Sequence, residues 1–301
     1  VSASDVAFTY QQMCVIDADE TPGEVRCWGA GNSYGNGGVE TPLGKDHALP
    51  ILGEDESPIS ATDIDAGYSH LCAILSDDGV ACWGTPTSNM YSVTVGDGLH
   101  ATRVYHGQTE TPATADGLLE DVTHLEVSYN RACAIHGADK AVVCWGANSQ
   151  HYGLVPQPGY AQPIPTEADG VFLTGAEGLA LDAGASTAHA CVILGTPEAE
   201  AGPQGEVWCW GSQVNGTLGD GVTDNTYRGW AEPVIDILTD EVLTGMKAIA
   251  ISQQTTCAIV AEDGSMRCWG SNQNGMLGNN NIGGNAGYSK AAPIPNVAGV
   301  D

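Results

Sequence analysis

The chain has 301 residues, of which 42% are hydrophobic, only 15% are charged and 40 are glycine, the balance of a packed, turn-rich globular protein and not of a disordered one. Nine Lys and Arg stand against 37 Asp and Glu, a formal charge of -28, which repels the phosphate backbone that nucleic-acid binders neutralise and the anionic headgroups of lipid surfaces. DNA, RNA and membranes are excluded as expected partners; the acidity serves solubility, or it attracts cations or a basic partner.

The chain starts Val1-Ser2-Ala3-Ser4, with neither the basic nor the apolar stretch of a signal peptide, so any such segment is expected to be already gone. No apolar run approaches the roughly 18 residues of a membrane helix. The first motif is Cys14 followed by Cys27-Trp28-Gly29, and it returns four times, as Cys72 with Cys82-Trp83-Gly84, Cys133 with Cys144-Trp145-Gly146, Cys191 with Cys209-Trp210-Gly211, and Cys257 with Cys268-Trp269-Gly270. The first cysteines are 58, 61, 58 and 66 residues apart. Periods of this size mark supersecondary units that bury their apolar faces only by stacking on neighbours.

The second unit shows the frame. Ile64 and Ala66 alternate with polar residues, Cys72 and Ile74 share one face, Asp77-Asp78-Gly79 reverses a hairpin, and Val80 and Cys82 share a face again, which spells three strands by period-two patterning. A Gly- and Asn-rich turn follows the tryptophan, as in Asn215-Gly216-Thr217-Leu218-Gly219-Asp220-Gly221 and Asn272-Gln273-Asn274-Gly275-Met276-Leu277-Gly278. A proline-flanked apolar strand comes next, at Leu49-Pro50-Ile51-Leu52, Pro163-Ile164-Pro165, Pro233-Val234-Ile235 and Pro293-Ile294-Pro295, where prolines suit an edge. Each unit therefore carries about four strands, one blade of a propeller.

All ten cysteines fall into this repeat, one pair per unit. Two cysteines facing each other across a hairpin in a non-hydrogen-bonded pair lie within disulfide reach, so the pairs expected are Cys14 with Cys27, Cys72 with Cys82, Cys133 with Cys144, Cys191 with Cys209 and Cys257 with Cys268. Zinc is disfavoured, because CxxC spacing is absent and two thiolates do not fill a tetrahedral site. Regular disulfides point to an extracellular, cell-surface or periplasmic location.

The motif Gly-x-x-His-x-Cys-Ala-Ile, a hairpin turn, Val-x-Cys-Trp-Gly and then Asn-x-x-Gly-x-Leu-Gly resembles the regulator of chromosome condensation repeat, in the cysteine-bearing form of secreted bacterial proteins. The fullest matches are Ala66 to Ile74 and Cys268 to Gly278. The resemblance implies one all-β propeller domain over residues 1–301, here of five blades with four antiparallel strands each and one disulfide per blade. The ring is expected to close by pairing of N- and C-terminal strands, with Pro293 to Asp301 starting a blade that Val6-Ala7-Phe8, Cys14 and Cys27 complete. The family's roles include nucleotide exchange on a small GTPase, ultraviolet perception and inhibition of a β-lactamase, and the fold does not choose among them.

Chemistry-bearing motifs are sparse. His70 and His189, two residues before a first cysteine, occupy the family's usual histidine position, held elsewhere by Gln12, Arg131 and Thr255; a structural hydrogen-bonding role is expected. Gly31-Asn32-Ser33-Tyr34-Gly35 matches the GxSxG elbow in letters, without the strand-to-helix context that makes it work. Asp220, Asp224 and Asn225 are weak calcium candidates, since Asp, Asn and Gly also form ordinary turns; no metal or other cofactor is expected. The function expected is a secreted, non-enzymatic binding scaffold for a protein partner. The alternatives are a subunit that assembles with copies of itself, and a hydrolase or lyase with an axial acidic site. Binding is placed where the repeat is most disturbed, at 85–117 with Met90, Tyr91, Tyr105 and His106, and at the long hairpin 195–205 beside Trp208, because aromatic and methionine side chains are enriched at interface cores.

Overall fold

The computed structural model describes residues 2–10, 12–19, 21–29, 45–84, 100–106, 117–129, 131–146, 160–167, 170–182, 188–196, 204–279 and 287–295. The fold is all-β and follows the repeat. The first sheet is β1 (Ala3–Phe8), β2 (Gln12–Asp17), β3 (Val25–Gly29) and β4 (Lys45–Pro50), in that order. The second is β5 (Ala61–Ala66), β6 (His70–Leu75), β7 (Val80–Gly84) and β8 (Thr102–Arg103). Two short strands, β9 (Tyr105–His106) and β10 (Gly117–Leu118), extend the third sheet of β11 (Val122–Val127), β12 (Arg131–His136), β13 (Ala141–Gly146) and β14 (Tyr160–Pro163) to six strands. The fourth is β15 (Ala176–Leu181), β16 (His189–Leu194), β17 (Glu206–Ser212) and β18 (Tyr227–Pro233); the fifth is β19 (Met246–Ser252), β20 (Thr255–Val260), β21 (Met266–Gly270) and β22 (Tyr288–Pro293).

The expected disulfides form, each inside one sheet. Facing cysteines stand 4.0 to 4.1 Å apart at Cα, and the register puts Cys14 opposite Cys27, Cys72 opposite Cys82, Cys191 opposite Cys209 and Cys257 opposite Cys268. Period two then gives every sheet two unlike sides, one with the disulfide and the other with the tryptophan.

The expected sharing of one sheet by the two chain ends is not found among the described residues. β1 pairs with β2 as the first sheet's own first strand, and β22 pairs with β21 as the fifth sheet's own last strand. The proline-flanked segments do not open a sheet; Pro50, Pro163, Pro233 and Pro293 end the fourth strands. The residue after each proline still donates to the third strand, Ile51 to Val25 O, Ile164 to Val142 O, Val234 to Val207 O and Ile294 to Met266 O, so the proline at the edge costs the ladder no inward bond. Residues 296–301 lie outside the described part.

The chain divides into two compact units. The first comprises Val1–Ala138, Val143–Ser149 and Val155–Gln162, and the second Asp139–Val142, Gln150–Leu154 and Pro163–Asp301. Within the first, Cys14, Ile16, Val25 and Cys27 of the first sheet pack on Ile64, Leu71, Ala73 and Trp83 of the second. Cys72, Ile74, Val80 and Cys82 of the second sheet pack in turn on Leu125, Ala132, Ala134 and Trp145 of the third. Within the second unit, Cys191, Ile193, Val207 and Cys209 pack on Ala258 and Trp269. The disulfide side of one sheet thus meets the tryptophan side of the next, and burying one such indole contributes on the order of 4–5 kcal/mol by area before ordering costs.

Outside these cores, the segment after each fourth strand stitches one sheet to the next. The backbone N–H groups of Ala101, Ala231 and Ala291 each donate to a carbonyl that follows the preceding fourth strand, on Leu52, Pro165 and Ile235, at 2.8 Å.

Candidate functional site

In the first unit the hairpins joining first and second strands are two-residue loops of one design. Thr9 N–H donates to Gln12 O, Gly67 N–H to His70 O and Ser128 N–H to Arg131 O, at 2.8 to 2.9 Å, so the first loop residue is placed identically each time. That residue is tyrosine in all three, four positions before the first cysteine: Tyr10, Tyr68 and Tyr129. Successive sheets bring the rings into one stack, with centroids 5.4 Å apart at a 20° interplanar angle for Tyr10 and Tyr68, and 4.8 Å at 22° for Tyr68 and Tyr129. Tyr10 N–H also donates to Tyr68 O. The row faces solvent, Tyr10 being 69% exposed and Tyr68 44%. Gly67 makes the close approach possible, because a Cβ there would sit 2.1 Å from Ser128 O.

Beneath the row run the first strands, whose inner edges have no fifth strand to bond. Carboxylates of the preceding sheet fill that role. Asp5 Oδ2 accepts from Ile64 N–H at 3.0 Å, and Asp65 Oδ2 accepts from Val127 N–H at 2.6 Å; the other oxygen of each accepts from the following residue's own N–H. Burial pushes the Asp65 carboxyl up to about 6, with Glu126 and Asp63 adding negative charge, against the pull of those N–H donors. Asp63 is also raised, by burial first and then by its hydrogen bond with Asp5 and the charge there. His124 lies with Nε2 3.4 Å from Glu126 Oε1. The first unit therefore presents aromatic rings above an acidic inner wall.

The residues singled out from sequence fall elsewhere or out of view. Tyr105 and His106 are half-buried in β9, paired in parallel with Tyr160 and Ala161 of β14; this is the stitch between sheets, enlarged. The His106 ring lies 5.1 Å from that of His136. Met90 and Tyr91 lie outside the described residues, as do 197–203 of the long hairpin and the GxSxG match. Trp208 is half-buried on β17, its Nε1–H donating to Glu206 Oε2 at 3.1 Å. Asp220 Oδ1 accepts from Gln213 Nε2 and from Val222 N–H, while Asp224 binds Thr226 and pairs with Arg228 at 2.8 Å. Among the described residues no group of three His, Cys, Asp or Glu side chains is placed to hold a metal.

His70 and His189 are fully buried. His189 Nε2 meets Thr256 Oγ1 of the fifth sheet at 2.8 Å, and its Nδ1 lies 3.9 Å from Asp182. This acid, imidazole and hydroxyl set is closed to any substrate, since none of the three side chains reaches solvent. In the first unit the place of Thr256 is taken by Ala132, one residue before the first cysteine, and neither nitrogen of His70 has a hydrogen-bond partner. Burial pushes the His70 imidazole down to about 4. A cavity of about 520 Å³ lies on the first unit below Ile59, Leu75 and Ala101, where Arg103 is gripped by both oxygens of Asp77 at 2.8 and 2.9 Å.

The family model for the regulator of chromosome condensation repeat matches residues 61–89 and 246–275. The chain carries these repeats. Its fold is similar to that of human WBSCR16, at a TM-score of 0.65 and 17% identity over 98% of this chain and 67% of the other. It is similar also to Prp20p of Saccharomyces cerevisiae, studied with its binding to Gsp1p and histones, at a TM-score of 0.60 and 17% identity over 98% of this chain and 64% of the other. Yeast RCC1 (Prp20) bound to Kap60 gives a TM-score of 0.59, 14% identity and coverages of 98% and 62%. The chain thus spans about two-thirds of the length of these propellers. Comparison of the sequence with curated proteins finds no match. The signal for the tyrosine row in the sequence is one residue type at one offset, four positions before the first cysteine, in three consecutive units.

Proposed function

We propose that residues 1–301 act as one propeller-type binding domain that engages a protein partner through the tyrosine row of the first unit. The observation that carries this reading is the stack of exposed Tyr10 and Tyr68 on half-buried Tyr129, held on rigid two-residue hairpins. Tyrosines present large amphipathic area at low entropic cost and anchor protein interfaces, and a rigid scaffold keeps that cost low on binding. Prp20p, of the same fold, binds proteins. Five disulfides support a role outside the cytosol, at a cell surface, in an extracellular assembly or in a periplasm. The role is not enzymatic and calls for no cofactor.

The test places a photo-crosslinking phenylalanine analogue at position 68 and, as a control, at Glu262 in a hairpin of the second unit, and exposes both proteins to an extract of the source. The reading expects an adduct from position 68 that the control lacks and that Tyr10→Ser with Tyr129→Ser abolishes. The same adducts from both positions, or an adduct indifferent to the serines, would overturn it.

A further inference from the structure

On the tryptophan side of each third strand, the residue before the second cysteine is Arg26, Val143, Trp208 and Arg267 in four sheets and Ala81 in the second. The stitch brings a further residue to each of the last four sheets. Parallel bridges to Ala101, Ala161, Ala231 and Ala291 put Gly53, His106, Thr166 and Asp236 at one equivalent position. The second sheet therefore has the smallest pair, Gly53 with Ala81, where the later sheets have His106 with Val143, Thr166 with Trp208 and Asp236 with Arg267.

In the fifth sheet this pair is an ion pair. Arg267 Nε lies 3.2 Å from Asp236 Oδ2, while Asp236 Oδ1 accepts from Leu238 N–H at 2.7 Å. In the second sheet both side chains are cut away, and the cavity of about 520 Å³ is lined by Gly53 and Ala81. A carboxylate stands there nonetheless. Asp55 Oδ1 lies 3.3 Å from the place that a Cβ on Gly53 would take, and it accepts from Ser57 N–H at 3.0 Å. The Asp236 arrangement is thus repeated, with one oxygen bound to the N–H two residues on and the other left for a cation.

The chain does not supply that cation itself. Arg103 stands beside Ala81 in register, where Pro50, Pro233 and Pro293 stand beside Arg26, Trp208 and Arg267. Its guanidinium lies over Gly79, with Nη2 2.8 Å from the place of a Cβ there, and is held by both oxygens of Asp77. Among the described residues no Lys or Arg side chain pairs with Glu54 or Asp55, which also line the cavity.

We infer that this cavity is a second binding site of the first unit, apart from the tyrosine row, and that it takes an arginine side chain of a protein partner, the alkyl stem over Leu75, Ala81 and Ala101 and the guanidinium on Asp55. The cavity has the size of a ligand site, about 300–1,000 Å³. Three carboxylates, of Glu54, Asp55 and Asp77, line it against the one guanidinium of Arg103, so the charge it complements is positive. The repeat itself selects arginine, since Arg26 and Arg267 hold this place in the first and fifth sheets and pair there with carboxylates. A planar guanidinium on an apolar stem suits a carboxylate above an apolar floor. A free amino acid would bring its own carboxylate against Glu54 and Asp77, which points to a side chain borne on a peptide.

The experiment titrates the full chain with three probes and follows the methyl resonances of Ala81 and Ala101. The probes are a blocked pentapeptide with one arginine among glycines, the same peptide with citrulline, which keeps the shape and loses the charge, and free arginine. The arginine peptide is expected to shift both methyls saturably in the millimolar range, and the citrulline peptide and free arginine to bind at least about fivefold more weakly. Asp55→Asn keeps an oxygen for Ser57 N–H and removes the charge, so it should weaken the arginine peptide by about the same factor. Ala81→Leu fills the floor and should abolish the shift of Ala101; near-ultraviolet circular dichroism checks its fold, and if it does not fold, Asp55→Asn, at an exposed side chain, decides alone. No saturable shift overturns the inference. So do equal binding of the arginine and citrulline peptides, which would mean that charge is not read, and wild-type affinity in Asp55→Asn. Free arginine binding as tightly as the peptide overturns the protein partner in favour of a small molecule.

Discussion

One repeat builds both units, but the first fills its variable positions with aromatic and acidic side chains and the second with small or uncharged ones. At the first loop position the first unit has Tyr10, Tyr68 and Tyr129; the fifth sheet has Gln253 in a loop of equal length, between the paired Ser252 and Thr255. At the inner-wall positions opposite the second strands the first unit has Asp5 with Ala7, Asp63 with Asp65, and His124 with Glu126. The second has Gly178 with Ala180, and Ala248 with Ala250. The buried histidine reverses the pattern, satisfied by Thr256 in the second unit and unpartnered in the first. In both units a polar side chain bonds a neighbouring sheet, through the Asp5 and Asp65 carboxylates in the first and through His189 and Thr256 in the second.

The largest effect expected is on the disulfides, and it should differ between the units. Loss of a native disulfide costs about 2–5 kcal/mol in small domains. Cys72→Ala with Cys82→Ala should destabilise more than Cys257→Ala with Cys268→Ala, because the former also removes buried sulfur packed on Trp145, whereas Cys257 is half-buried. Denaturant unfolding of both pairs checks the order, and equal losses would mean that the packing against the next tryptophan adds nothing.

The next concerns pH, where two groups of the first unit oppose each other. Asp65 titrates higher in the folded protein than unfolded, so its contribution is fully present below about pH 4 and is lost as pH rises through about 6. His70 titrates lower folded than unfolded, so its contribution is present above about pH 6.5 and is lost as pH falls through about 4. Across the shared window the two slopes cancel. Asp65→Asn keeps an oxygen for Val127 N–H and removes the charge, so stability at pH 7 should rise, by at most about 3 kcal/mol, and fall with decreasing pH at up to about 1.4 kcal/mol per unit. Thermal unfolding from pH 4 to 7 reads this directly; an Asp65→Asn profile parallel to the wild type would show that the carboxylate is not perturbed.

How much of this the sequence disclosed depends on the range of the interactions concerned. Cysteine pairing and three of the strands follow from period two within about 25 residues, and they stand in the structure as read. The fourth strands were legible only at their ends: the proline-flanked segments read as strands begin where β4, β14, β18 and β22 finish, β8 carried no such signal, and that displacement produced the expectation of shared termini. Asp5 and Asp65 were not legible as edge caps, because each bonds a backbone group 59 or 62 residues away on another sheet. No local pattern encodes such a contact. Tyr105 and His106 were prominent because they interrupt the repeat, and they lie in a strand of the stitch.

A smaller effect comes from exchanging the histidine's partner between units. Thr256→Ala leaves the buried His189 Nε2 without its hydroxyl and should cost about 1–3 kcal/mol, while Ala132→Thr offers His70 the hydroxyl it lacks and should return about 0.5–1.5 kcal/mol. Both changes are read by denaturant midpoints. A destabilising Ala132→Thr would mean that the space between the second and third sheets is too tight for the added atoms.

The smallest expected effect on stability is in the tyrosine row itself, and its smallness is what the proposed role requires. Tyr68 stacks on both neighbours and Tyr10 on one, so Tyr68→Leu should cost more than Tyr10→Leu, with a coupling of about 0.5–1.5 kcal/mol between Tyr10 and Tyr68 in a double-mutant cycle. Gln253→Tyr in the second unit adds a ring at the equivalent loop position and should bring no comparable gain, because one ring without an aligned neighbour makes no stack. If the row were chiefly a structural device, its removal would be felt like that of a core residue, by several kcal/mol. A loss of about one kcal/mol together with loss of the position-68 adduct assigns the rings to the partner; a large loss of stability would return them to the fold.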